Sequence, residues 1–213
     1  MIAAHSPSVD TSEWRAFLSL PAAYAHGVHL AACLGDNFEV EFCEQLLATE
    51  RLHSRLSELL TQHYDLPDWR EEQVCDAEDR VIAMATAEQI DVLAARSGAI
   101  YWSANIAGAI LAHEAEAFQQ QLGHDLCSYA VVHRDLAGPK RDTVQQDDLH
   151  NVVLTDGWRC IEAWRRNLPE SIGKRVLLKL APNPLFDMQP DRIFDEFGPA
   201  IVRRAANVGG VHG

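Results

Sequence analysis

Ten histidines and five cysteines are the residues of this chain best suited to hold a metal or carry nucleophilic chemistry, so their spacing decides what chemistry is available. His26 and His29 stand at i and i+3, which would place both imidazoles on one helix face. Glu50 and His53 form a Glu-x-x-His pair, the unit that di-iron carboxylate bundles use twice, but the chain holds no second copy. His113-Glu114 opens like a zinc-protease helix, yet Ala117 stands where the second histidine is required. Cys127 is three residues from His124 and six from His133, and neither spacing by itself brings a thiol against a base. His133-Arg134-Asp135 matches the first letters of a kinase catalytic loop, but Lys140 occupies the asparagine position and no glycine-rich loop precedes it. The expectation is therefore no catalytic residue, no metal and no other cofactor, with histidines that face solvent or bond locally.

Charge gives the stronger lead. Residues 36–79 hold thirteen Asp/Glu against three Arg. Residues 158–180 reverse the sign, with Arg159, Arg165, Arg166, Lys174, Arg175 and Lys179 against Glu162 and Glu170. Two readings follow: solvated faces that attract each other inside the fold, or docking surfaces of opposite sign that orient partners. On the second reading the six basic residues contact a partner, and Trp158 or Trp164 serves as a half-buried anchor. Arg165→Glu with Arg166→Glu would then weaken association and flatten its salt dependence while leaving helical content intact.

The elements that must position these residues read as helices throughout. Leu, Ala, Glu, Gln and Arg dominate, and alternating Val-rich runs are scarce. Phe42, Leu46, Leu52, Leu56, Leu59 and Leu60 recur at helical spacings and predict one helix from about Glu39 to His63. Residues 22–34 predict another, weakened at its centre by Gly27. Further helices are expected near 76–85, 87–97, 100–122, 125–136 and 146–167, with Thr86 and Gln89 as a capping box. Gly98 and Gly123 stand as helix ends, and Gly138-Pro139 closes this central block. Pro169 opens a short helix as its first residue, and Gly198-Pro199 kinks or splits a last helix over 191–207. The fold class is all-α: a single compact helical domain of about eight to ten helices over 13–207, after a disordered leader at 1–12 and before a flexible tail at 208–213.

The formal net charge of −13 excludes a general nucleic-acid binder and disfavours an anionic membrane surface. No apolar run reaches the ~20 residues needed to span a bilayer, and the first residues lack a basic region and an apolar core of the signal-peptide kind. An odd set of cysteines without paired spacing points to free, buried thiols and a reducing cytoplasm. No small-molecule substrate is expected, which leaves protein as the expected partner.

The segment RVIAMATAEQIDVLAARSGAI, the following 103–122 helix and QQLGHDLCSYAV together resemble the SctK family, also called YscK-type proteins. Two flanking segments, PAAYAHGVHL at 21–30 and LPESIGKRVLLKLAP at 168–182, are similar to elements of that family. Gly27-Val28-His29 departs from the family's usual Pro-Ser-Trp, and Ala181 interrupts its closing Leu-Pro. The resemblance implies an all-helical, non-enzymatic, cytoplasmic adaptor of a bacterial type III secretion system. Such adaptors associate peripherally with the inner-membrane apparatus and link the cytoplasmic domain of the ring protein SctD to SctQ of the sorting platform. The alternatives are a small-molecule enzyme or sensor with a pocket lined by His26, His29 or His113, and an unrelated helical chaperone or regulatory module.

Overall fold

The computed structural model describes residues 11–35, 38–68, 75–109, 112–141 and 148–207, with the side chains of Ala112 and His113 excepted. Within these residues the chain is all α-helical, without a strand. The first helices are α1 (Thr11–Ser19), α2 (Gly27–Leu34), α3 (Val40–Leu47), α4 (His53–His63), α5 (Ala77–Met84) and α6 (Ala87–Tyr101). They are followed by α7 (Ser103–Ala107), α8 (Ala112–Leu122), α9 (His124–Val132), α10 (Leu149–Asn167), α11 (Glu170–Lys179) and α12 (Arg192–Asn207). The total of twelve exceeds the expected eight to ten because two long periodic stretches are broken. The leader's last residues, Thr11 and Ser12, already belong to α1, and the tail at 208–213 lies outside the described residues.

The expected 39–63 helix divides at Ala48–Thr49. Thr49 takes an extended backbone, and its hydroxyl donates 3.0 Å to Gln45 O. His53 Nε2 donates 2.7 Å to Leu47 O, so a histidine side chain closes the end of α3 while its own residue begins α4. The break lets both short helices turn apolar faces to one cluster formed by Ala22, Leu30, Cys43, Leu47, Leu56 and Leu60. Gly27 does not weaken a helix centre; it is the first residue of α2, behind His26, whose Nδ1 accepts from Val28 N at 3.3 Å. A Cβ on Gly27 would lie 2.6 Å from Glu44 Cγ and 2.9 Å from Val40 O, so the approach of α2 to α3 requires glycine here.

Gly98 is also not a helix end. It lies inside α6, where a Cβ would run into Val153 O of α10, and a Cβ on Gly157 would run into Ala94 O in return. Two glycines therefore allow α6 and α10 to touch backbone to backbone. Gly123 does hold the expected place, with φ of +84° between α8 and α9. Pro169 stands as the N-cap residue of α11, one position outside the helix, and Pro199 sits inside an unsplit α12. Gly198 beside it is packed on α10, where a Cβ would come within 2.9 Å of Ala163 Cβ.

The contacts group the helices into two compact units. Unit 1 takes in the described residues up to Ala87 together with Leu168–Pro184, that is α1 to α5 and α11. Unit 2 takes in Glu88–Asn167 and the described residues from Leu185 onward, that is α6 to α10 and α12. The basic 158–180 segment is consequently shared out, its first half in unit 2 and its second half in unit 1.

Candidate functional site

In unit 1, α11 carries Lys174, Arg175 and Lys179. Arg175 is buried, and its guanidinium donates to four carbonyl contacts of three residues: Leu18 O at 2.8 Å, Ser171 O at 2.8 Å, and Pro67 O twice at 3.2 Å. Lys179 is buried as well; its ammonium donates to Ala83 O at 2.5 Å and Ala85 O at 2.9 Å and lies over the rings of Phe17 and Tyr24. Burial lowers the Lys179 ammonium to about 8. Lys174 alone of the three reaches solvent, bound to Glu170 at 2.9 Å and to Asp65 O at 3.0 Å. Arg175 and Lys179 thus tie chain segments together in the interior and present nothing to a partner.

In unit 2 the pattern repeats with carboxylates as acceptors. Glu162 is buried on α10; Arg165 grips it through two contacts of 2.7 Å, and Arg166 Nε reaches it at 2.6 Å. Arg166 also donates to Met188 O at 2.6 Å. Arg159 pairs with buried Asp156 at 3.3 Å and lies over the Phe194 ring. Trp164 is fully buried, so it belongs to the core of unit 2 and cannot anchor a partner. Trp158 is half-buried, edge-on to Phe186 with centroids 5.9 Å apart.

Asp156 forms a polar centre that sequence reasoning did not reach. It accepts from Trp102 Nε1 at 2.8 Å and pairs with Arg141 at 2.9 Å, while burial raises its carboxyl above the ordinary range. The Arg141 guanidinium stacks over Tyr101, Trp102 and Phe194, and its backbone is clamped by Asn105 through bonds of 2.8 and 3.2 Å. An acidic residue in the middle of an apolar helix, followed three positions later by arginine, was the available signal; Arg141 sits in a stretch with no periodicity to reveal it.

His26, His29 and His53 take structural places. His29 Nε2 donates 2.9 Å to Leu180 O, the Tyr64 hydroxyl donates to His29 O at 3.2 Å and lies 3.2 Å from Nδ1, and desolvation lowers the His29 pKa, which favours the neutral ring. His26 caps α2, His53 closes α3, and the His113 side chain lies outside the described residues. His124 Nε2 and Ser128 Oγ are 3.5 Å apart on exposed turns of α9, and burial raises the neighbouring Cys127 thiol, which holds it protonated. All five cysteines are free, and no cluster of three metal-ligating side chains occurs among the described residues.

Among the clefts on the surface of unit 2 is one of about 360 Å³ between α10, the 185–191 segment and the start of α12, lined by Arg159, Arg166, Asp191 and Arg192. No helix among the described residues is long and apolar enough to cross a membrane. No family model, no curated protein and no solved structure matches this chain.

Proposed function

We propose that the chain is a non-enzymatic helical adaptor of a bacterial type III secretion system, of the SctK kind. It works in the cytoplasm, peripherally bound to the inner-membrane apparatus, and links the cytoplasmic domain of SctD to SctQ. One observation carries the reading. The two segments that flank the central resemblance, 21–30 and 168–182, are far apart in sequence yet bond to each other: His26 N donates 2.8 Å to Leu178 O, and His29 Nε2 reaches Leu180 O at 2.9 Å. Pieces that resemble one family separately are thus bonded neighbours within one unit, as expected if they descend together. The placement of buried Arg175, Lys179, Glu162 and Asp156 adds support, since each is engaged in holding backbone or another helix residue rather than facing a substrate.

Capture of purified SctQ and of the SctD cytoplasmic domain from the same organism tests the adaptor. Both should be retained by the immobilised chain, and a folded chain that retains neither overturns the reading. Stoichiometric metal in the purified protein would instead favour an enzyme or sensor.

A further inference from the structure

The outward side of α3 is built unlike the solvent side of an ordinary surface helix. Its inner side, Cys43 and Leu47, is buried in the apolar cluster of unit 1. Its outer side should then be polar. Instead Phe38, just ahead of the helix, and Phe42 lie there with rings stacked 6.0 Å apart, 41% and 46% exposed. A contact between a residue preceding a helix and one in its first turn fixes the entry of the chain, which explains why the rings meet. It does not explain why both rings stand in water. Glu39 and Glu41 directly follow Phe38 and precede Phe42 in the chain; both are exposed, and neither pairs with a cation among the described residues.

We propose that this face is a docking site for a basic amphipathic segment of a partner protein, whose apolar side chains cover Phe38 and Phe42 and whose Lys or Arg residues meet Glu39 and Glu41. Charge selects this occupant. A second copy of the chain placed on the same face would bring like carboxylates together in a symmetric contact. An anionic membrane would be repelled by the same glutamates. A cationic segment gains from both the aromatic pair and the acidic rim, with stacked rings open to cation–π contact. The face recruits such a segment whether or not the chain serves a secretion system.

The test uses the full chain and a Leu/Lys amphipathic helical peptide, with a Leu/Glu peptide of the same apolar pattern as control. Because a chain of net charge −13 attracts any cation, the decisive comparison keeps charge constant: wild type against Phe38→Ser/Phe42→Ser. The Leu/Lys peptide should bind wild type at least tenfold more tightly than the double variant, and the Leu/Glu peptide should bind neither. Glu39→Gln/Glu41→Gln should weaken the same binding and reduce its salt dependence. Helical circular dichroism checks that each variant is folded; these positions are exposed, and should Phe38→Ser/Phe42→Ser unfold, Phe42→Ser alone replaces it. Equal affinity of wild type and the Phe variant overturns the proposal. So does sedimentation of wild type as a dimer that the Phe variant abolishes, since a second copy would then be the occupant.

Discussion

Lys179 lies at the C-terminal end of α5, where Ala83 O and Ala85 O present the negative end of the helix to its ammonium. Burial still dominates, lowering the pKa from 10.5 to about 8. Between those values the unfolded chain binds a proton that the folded chain has released, so stability rises with pH across that window. Below about 8 both states are protonated and the full burial penalty is present, on the order of 3 kcal/mol. Lys179→Met removes the titration. Urea unfolding at pH 7.5 and pH 10 should therefore show the wild type gaining on the variant at the higher pH; a constant difference would mean that the ammonium is not desolvated. Glu162 supports a second prediction at this scale. Arg165→Glu/Arg166→Glu leaves a buried carboxylate facing two others, and losing such partners costs about 3–5 kcal/mol. Lys174→Glu breaks an ion pair whose side chains are 33% and 68% exposed, and should cost under about 1 kcal/mol. The double reversal thus reads stability before it reads docking, contrary to the sequence expectation that helical content would be untouched. Chemical unfolding midpoints of the two variants separate the cases, and equal midpoints would sink this account.

The crossing of α6 and α10 shows what a periodicity reading loses between elements. Gly98 looks like a stop signal because glycine ends many helices, yet the pattern runs on through Ile100 and Tyr101, both buried. The informative pairing was Gly98 of α6 with Gly157 of α10, each set against a backbone carbonyl of the other helix one turn away, Val153 O and Ala94 O, and only the fold reveals that these turns face each other. Gly157→Ala or Gly98→Ala places a methyl against a facing carbonyl that cannot rotate away, so the helices must separate. Each should lower stability by about 1–3 kcal/mol, despite the gain of about 1 kcal/mol that alanine brings to an open helix position. Thermal unfolding of the two variants checks this, and a raised midpoint would show that the crossing has room to spare. Helix class, most helix positions and the turn at Gly123 were legible in the sequence because each depends on neighbours within a few residues. The burial of Arg175, Lys179 and Trp164 was not, because a charge count over 158–180 sums residues without regard to the face each occupies. The Phe38–Phe42 face is hidden for the opposite reason: Phe42 fits the apolar rhythm that predicts the 39–63 helix, and that rhythm does not distinguish an exposed ring from a buried one.

At the scale of the whole chain, unit 1 is discontinuous: α1 to α5 precede unit 2 in sequence, and α11 follows most of it. Residues 168–184 supply bonds that the earlier helices cannot make alone. Arg175 satisfies Leu18 O and Pro67 O, Lys179 satisfies Ala83 O and Ala85 O, and Leu178 O and Leu180 O receive His26 N and His29 Nε2. Buried carbonyls left without partners each cost about 1–3 kcal/mol, a large part of the stability of a small helical unit. A fragment of residues 11–87 should accordingly show reduced helicity and no cooperative thermal transition. Joining residues 168–184 to it through a Gly/Ser linker long enough to reach should restore both, since loop closure grows only slowly with length. Circular dichroism melts of the two fragments decide the matter. If 11–87 alone melts as sharply as the joined form, α11 adds contacts to a unit already complete, and the bonds from residues 26–29 to 178–180 lose their structural meaning.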